Sequence, residues 1–279
     1  QLDAAAPAAS SADAADGDAA SGGGVPPETR EKIASHQRAL RRYITALQMQ
    51  RVIGMHSREA LGGVDAERAL VTELMELWAA AAVLARGNEG GQREVQDRDD
   101  LALLAAWVCR DAAVQEIASG GGAGGAGGGS ASVGGGRVAA AAAESQVKVR
   151  QLLLEAAVLL EAARKASPFN FQFRLLLLEL YSWLGAHKAA KEMFDALDIK
   201  NIQYESLGHL ALREGVRFGL PVAIASAARD VCHAHDDDIR EGGEAIAKAL
   251  QLRNTSVAFD VAAFRARLRN SHVLAQART

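Results

Sequence analysis

Ser167-Pro168-Phe169-Asn170-Phe171-Gln172-Phe173-Arg174-Leu175-Leu176-Leu177-Leu178-Glu179-Leu180-Tyr181-Ser182-Trp183-Leu184-Gly185 is the stretch whose reading decides the fold. Ser167 suits an N-cap and Pro168 the first helical position, because proline's missing N–H is one of the donors that a helix start leaves free. The apolar run reaches Leu184, and Gly185 supplies a C-terminal stop. Phe169, Phe173, Leu176, Leu177, Leu180 and Leu184 form one stripe at helical spacing, while Phe171, Leu175, Leu178 and Tyr181 form a second on the opposite side. A helix apolar nearly all round has to be covered on both sides.

The same punctuation returns 34 positions later at Phe218-Gly219. A partner helix is expected over 187–197, and the next pair is expected to start near Gln203 and near Pro221, a second proline at a first-turn position. Further runs are expected from Asp237 and Val257. A fixed period of this size is what stacked helix pairs leave in a sequence, since one pair cannot bury its own apolar face. The expected fold is therefore all-α, a tetratricopeptide-like helical repeat (α-solenoid) carrying disordered low-complexity insertions. Ala190 and Phe194 have the small-to-aromatic spacing of a tetratricopeptide second helix, but the Trp-Leu-Gly-Tyr order of the first helix is absent. An ordinary helical bundle with chance spacing stays open as the alternative.

Working outward, residues 1–27 are rich in Ala, Ser, Gly and Asp and carry no large apolar side chain between Leu2 and Val25. Such a segment cannot bury enough surface to offset chain entropy and is expected to be disordered. A helical segment is expected over 28–118. It includes Ile33, Leu40, Ile44 and Leu47 on one surface helix and Leu70, Leu74, Leu77, Trp78 and Ala81 on a second, then a polar loop over 86–98. Leu101, Leu104, Ala105 and Val108 follow an acidic start, Asp97, Asp99 and Asp100, whose charge favours a helix N-terminus. The Gly/Ala-rich stretch 119–143 reads as a flexible linker, its glycine-dense part spanning about 25 Å root-mean-square. From 144 to 279 the helical repeat resumes, opening on Leu152, Leu153, Ala156, Leu159, Leu160 and Ala163.

Several function classes fall away on the residues present. A phosphate-binding loop needs Gly-Lys-Ser/Thr or a glycine turn between strand and helix, and here Gly136 is followed by Arg137-Val138 with no strand pattern before it. The formal charge of -3 exerts no large pull on nucleic acid as a whole. Two cysteines, Cys109 and Cys232, are too few for a disulfide scaffold and fit a reducing, cytoplasmic setting. No apolar run has transmembrane character and no secretory signal is visible, so no membrane partner is expected. Gln1 in place of an initiator methionine reads as an excerpt from a longer protein.

The densest run of ligand-type side chains is Cys232-His233-Ala234-His235-Asp236-Asp237-Asp238. Zinc needs four converging donors, usually from two separated knuckles, and no second cluster completes a set here. The run reads better as a polar interhelix loop whose aspartates cap the next helix. Tyr204, Glu205 and His209 could serve acid-base chemistry, yet Glu205 and His209 are one helical turn apart, the spacing of a routine surface pair. No serine or cysteine stands in an activating context, so no catalytic, cofactor-binding or metal residue is assigned. Arg253, Arg265, Arg267, Arg269 and Arg278 make the C-terminal end basic, but residues two apart on a helix do not share a face, so a solvated helix is favoured over a phosphate-reading stripe. Trp183 and Phe171 are expected in the core rather than as base-stacking platforms.

Five stretches carry a family resemblance: the quoted run from Ser167 through Leu177, then Leu184-Gly185-Ala186, Leu197-Asp198-Ile199-Lys200-Asn201-Ile202-Gln203 and Leu207-Gly208-His209-Leu210, and Phe264-Arg265-Ala266-Arg267-Leu268-Arg269-Asn270-Ser271 near the end. They resemble the auxiliary subunit of the NatB N-terminal acetyltransferase complex, over 144–279 and more thinly near Asp99-Asp100-Leu101, in the middle part of that longer protein. The resemblance implies a non-catalytic scaffold that wraps a separate catalytic acetyltransferase subunit. It also implies placement of that subunit at the ribosome, with possible ribosomal RNA contact, for acetylation of nascent chains starting Met-Asp, Met-Glu, Met-Asn or Met-Gln. Acetyl-CoA would sit on the catalytic partner, and this chain would need no cofactor. The low-complexity segments are unusual for the family, and no partner-binding residue carries over. The alternative function is a tetratricopeptide-like adaptor binding peptides or RNA.

Overall fold

The computed structural model describes residues 27–85, 96–121, 135–200 and 202–279. The expected disorder of 1–27 lies outside these residues except at its last position, as do 86–95 of the polar loop and 122–134 of the linker. Among the described residues the regular elements are all helices. They run in the order α1 (Pro27–Val52), α2 (Arg58–Leu61), α3 (Val64–Ala80), α4 (Ala82–Ala85), α5 (Asp99–Gly121), α6 (Gly135–Ala166), α7 (Phe171–Leu184), α8 (His187–Asp195), α9 (Ile202–Arg217), α10 (Pro221–Gln251), α11 (Thr255–Arg269) and α12 (His272–Arg278).

Consecutive long helices pack on one another, with α3 against α5, α5 against α6, α6 against α7 and α7 against α8. α5 is the centre of the first half: Leu101, Ala102, Leu103, Leu104, Ala105 and Ala106 are all buried, so this helix is covered on every side near its start. Leu153, Ala156 and Leu160 of α6 and Phe173, Leu177 and Leu180 of α7 complete the main cluster, and Ile44, Leu47 and Leu74 close a second one under α1. Alanines dominate where α5 meets α6, which lets the two backbones lie close. A third, smaller cluster is built on Leu212, Val231 and Val273 of α9, α10 and α12.

Three expectations change. α7 begins at Phe171 with Asn170 as its cap, the Asn170 side chain accepting from the Gln172 N–H at 3.0 Å. Ser167 cannot cap because its hydroxyl is committed to Asp99, 2.9 Å away in the interior, and Pro168 and Phe169 form the turn instead. The burial of α7 is also less complete than the pattern implied, because Phe169 and Phe171 are each 52% exposed while Phe173, Leu176, Leu177, Leu178 and Leu180 are buried. The helix start expected at Asp237 is absent, since α10 runs unbroken through that position for 31 residues. Its Gly242-Gly243 pair does not interrupt it, and the missing side chain at Gly242 leaves room for Arg265 of α11, which a Cβ would meet at 2.8 Å.

Both edges of the expected linker are helical, α5 reaching Gly121 and α6 starting at Gly135. Alanine-rich flanks favour helix continuation, and the glycines at each edge do not stop it. Gly185 does end α7, in the left-handed region at φ 76°, with Ala186 N–H donating to the Tyr181 carbonyl at 2.9 Å.

Candidate functional site

The feature with the shape of a binding site is a groove floored by α5 and walled by α3 and α6. Its apolar half has a volume of about 550 Å³ and is lined by Val71, Cys109, Val147, Leu154, Val158 and Leu159. Val147, Leu154 and Val158 stand at i, i+7 and i+11 on α6, one face of the helix, and are 66%, 48% and 67% exposed. α6 faces two ways: its Leu153, Ala156, Leu160 side enters the core, and this second apolar stripe stays uncovered. A neighbouring depression of about 820 Å³ continues the groove past Val108, Ala112, Glu116 and Lys148. There Arg58 bridges Glu67 at 3.1 Å and Glu116 at 3.0 Å, tying the α2 turn to α3 and to α5.

Cys109 on the groove floor is no nucleophile. Burial pushes its thiol up to about 12, so it stays protonated and unreactive near neutral pH. Arg150, Gln151 and Glu155 also line the trough, and an apolar floor with polar edges can dock a side-chain row.

The run from Cys232 to Asp238 lies within α10 and is not an interhelix loop, because its residues pair along the helix and across to neighbours. His233 meets Asp237 at 2.9 Å one turn on, and Asp237 also holds Arg240. Asp238 reaches Arg265 of α11 at 3.4 Å, and His235, buried, lies 3.3 Å from Glu205 of α9. Among the described residues no three such donors converge as a metal set. Glu205 turns to His235 and to the Ser271 hydroxyl, which donates to it at 2.6 Å, while His209 stands exposed. The structure thus ties Glu205 to α10 and to the cap of α12. Of the C-terminal arginines, Arg265 is drawn to Asp238 and Arg267 lies over the Phe264 ring at 5.7 Å, so they share no phosphate-facing row. Trp183 is half-buried against the main cluster with Arg110 over its ring at 5.5 Å; Phe171, expected in the core, is exposed.

Two features escaped sequence reasoning. One is the groove: the positions of α6 assigned to a core stripe were recognised, but Val147, Leu154 and Val158 on its other face were not. The second is a stitched surface in which Arg51 and Arg110 flank the Trp107 ring at 4.4 and 4.7 Å and pair with Asp111 and Glu179. Nothing in the sequence spacing links partners 60 and 69 positions apart.

Comparison with known proteins places this architecture. The family described as the N-acetyltransferase B complex (NatB) non catalytic subunit matches residues 25–279, a span that takes in every helix from α1 to α12. The auxiliary subunit of the N-terminal acetyltransferase B complex of Arabidopsis thaliana is 32% identical over 126 residues, 45% of this chain and 12% of the relative. The human N-alpha-acetyltransferase 25, NatB auxiliary subunit, is 32% identical over 125 residues, 45% of this chain and 13% of that protein. The phagocyte signaling-impaired protein of Drosophila pseudoobscura pseudoobscura is 28% identical over 178 residues, 64% of this chain and 15% of its own length. The match therefore spans only about an eighth of the first two relatives. With an all-helical architecture among the described residues and a family match that runs through every one of these helices, the chain belongs to the family of NatB non-catalytic subunits.

Proposed function

We propose that this chain is scaffold rather than catalyst, and that the groove between α3 and α6 receives the catalytic acetyltransferase subunit of a NatB complex. The observation that carries the reading is the uncovered Val147, Leu154, Val158 stripe in a chain of this family. Three apolar side chains aligned on one helix face are what a partner's apolar row buries against. The catalytic subunit would bring acetyl-CoA and modify chains beginning Met-Asp, Met-Glu, Met-Asn or Met-Gln. Placement of the pair at the ribosome, in the cytoplasm, completes the proposal. No described helix is long and apolar enough to cross a membrane.

The test is co-purification of the catalytic subunit with the full protein carrying Leu154→Glu and Val158→Glu, together with acetylation of a Met-Asp peptide. Both positions are solvent-facing, so helical circular dichroism and the melting temperature should hold. A carboxylate forced unpaired into an apolar contact costs about 3 kcal/mol, or about a hundredfold in Kd, so both the co-purification and the peptide acetylation should be lost. A doubly substituted protein that retains its partner and full activity would remove the groove from the interface.

A further inference from the structure

We propose that the chain pivots between α8 and α9, so that α9–α12 forms an arm that swings as a rigid body against α1–α8. The inference does not depend on the identity of the groove's partner. Its first support is the division of the core. The clusters under α1 and around α5–α7 share Val71, Met75, Trp78 and Leu159, and so behave as one body. Among the described residues the cluster of Leu212, Val231 and Val273 shares no side chain with them, and Leu210 is the α9 side chain packed on the first body's cluster.

Polar stitching divides at the same place. Arg51 to Asp111, Arg58 to Glu116 and Arg110 to Glu179 bind the first body across long sequence separations. Ser271 to Glu205 and Arg265 to Asp238 do the same for the second, where His235 also lies 3.3 Å from Glu205. Among the described residues no ion pair or side-chain hydrogen bond runs from α1–α8 to α9–α12. Among the described residues the seam is closed by Leu210, by Ile199 buried in the connection, and by a ring pair, His187 of α8 on Phe218 at the end of α9, with centroids 5.8 Å apart and planes tilted by 48°. Rings in that arrangement slide past one another without breaking a hydrogen bond.

The connection itself suits a pivot. α8 ends at Asp195, and Asp198 breaks the helical path by sitting in the left-handed region at φ 48°, a conformation aspartate takes more easily than most non-glycine residues. Hinges form at a few element-terminal residues that absorb a backbone change between two well-packed bodies, and opening is easiest where buried apolar contact is least. Within each body the packing resists shear; at this seam it does not.

Distances between spin labels test the pivot in the full chain. One label goes on Lys165→Cys in α6 and one on Arg229→Cys in α10, both exposed, in a Cys232→Ser background that leaves Cys109 buried. Control pairs stay inside each body: Lys165→Cys with Arg68→Cys, and Arg229→Cys with Ser256→Cys. The pair across the seam is expected to give a distribution about twice as wide as the controls, and Leu210→Ala is expected to widen it further while leaving the controls narrow. A cross-seam distribution as narrow as the controls, unmoved by Leu210→Ala, would overturn the pivot. Circular dichroism on the Leu210→Ala protein, unchanged if both bodies remain folded, separates a freed arm from an unfolded one.

Discussion

At residue scale the decisive group is Asp99, the first residue of α5. It is fully buried, and its carboxylate accepts from Ser167 Oγ at 2.9 Å, Asn170 Nδ2 at 3.2 Å and the Gln96 N–H at 3.1 Å. One acidic side chain therefore anchors the α6–α7 turn to the start of α5, over 68 and 71 positions of sequence. Burial pushes its carboxyl above the usual range, and the three hydrogen bonds and Arg98 only partly offset that. A raised folded-state value means that the folded chain holds this proton more tightly than the unfolded one. The contribution to stability is then full below the unfolded pKa and is lost as pH rises through the folded one. Asp99→Asn should remove this dependence, since an asparagine amide can donate to Ser167 Oγ and accept from Gln96. Denaturation midpoints measured from pH 3 to pH 7 should show the parent losing stability relative to Asp99→Asn as pH rises; a constant difference would mean that Asp99 does not titrate there. Asp99→Ala should cost about 2 to 4 kcal/mol at any of these pH values, because Ser167 and Asn170 are left as buried unpaired groups. The sequence showed an acidic helix start here; the buried acceptor was invisible because both side-chain partners arrive from another turn.

At element scale, helix ends and helix crossings make separate demands. Gly185 holds φ 76° with open space where a Cβ would stand, so Gly185→Ala tests backbone strain alone and should cost about 1 kcal/mol in denaturant titration. Gly215 makes the opposite case. A Cβ there would stand 2.7 Å from Ile224 Cγ1 and 3.1 Å from the Ile224 backbone nitrogen, so it keeps α9 and α10 in close contact. Gly215→Ala should destabilise the arm by about 1 to 3 kcal/mol through overpacking, with hydrogen exchange rising in α9 and α10 and unchanged in α5–α7. Leu177, with no exposed surface, lies in the middle of α7. Leu177→Asp should lower the melting temperature steeply, an unpaired charge in that position costing several kcal/mol. Retention of the parental melting curve would contradict the packing of α7 between α6 and α8. The ends of α7 also show the limit of pattern reading: Gly185 was legible because its chemistry is local, and Asn170 was not, because the competing claim on Ser167 is tertiary.

At the scale of the whole molecule, two bodies meet at a thin seam, and a groove opens on the first of them. A thiol reagent gives a simple check of how the two bodies bury their cysteines. Cys232, half-buried on α10, should react in the native protein, and Cys109, buried with its thiol pushed up to about 12, only in denaturant. Two equally fast reactions would mean that the α5–α6 packing is open. What the sequence by itself determined is the helical class and most helix positions. Each of these rests on local signals: apolar spacing at 3.6 residues, Gly185 and Pro221 at helix ends, and the residue types present. The spacing placed starts near 187, 203, 221 and 257, where the helices begin at 187, 202, 221 and 255, but α7 starts three residues after Pro168 and α10 overran the start expected at Asp237, since a helix goes on wherever its side chains find partners. Only the tertiary structure decided which of the two apolar faces of α6 is buried, that Glu205 serves α10 and α12, that Asp99 closes the α6–α7 turn, and where the chain divides. Those outcomes depend on partners brought together from distant positions, and the free energy of such a contact exists only once the chain has closed the loop between them.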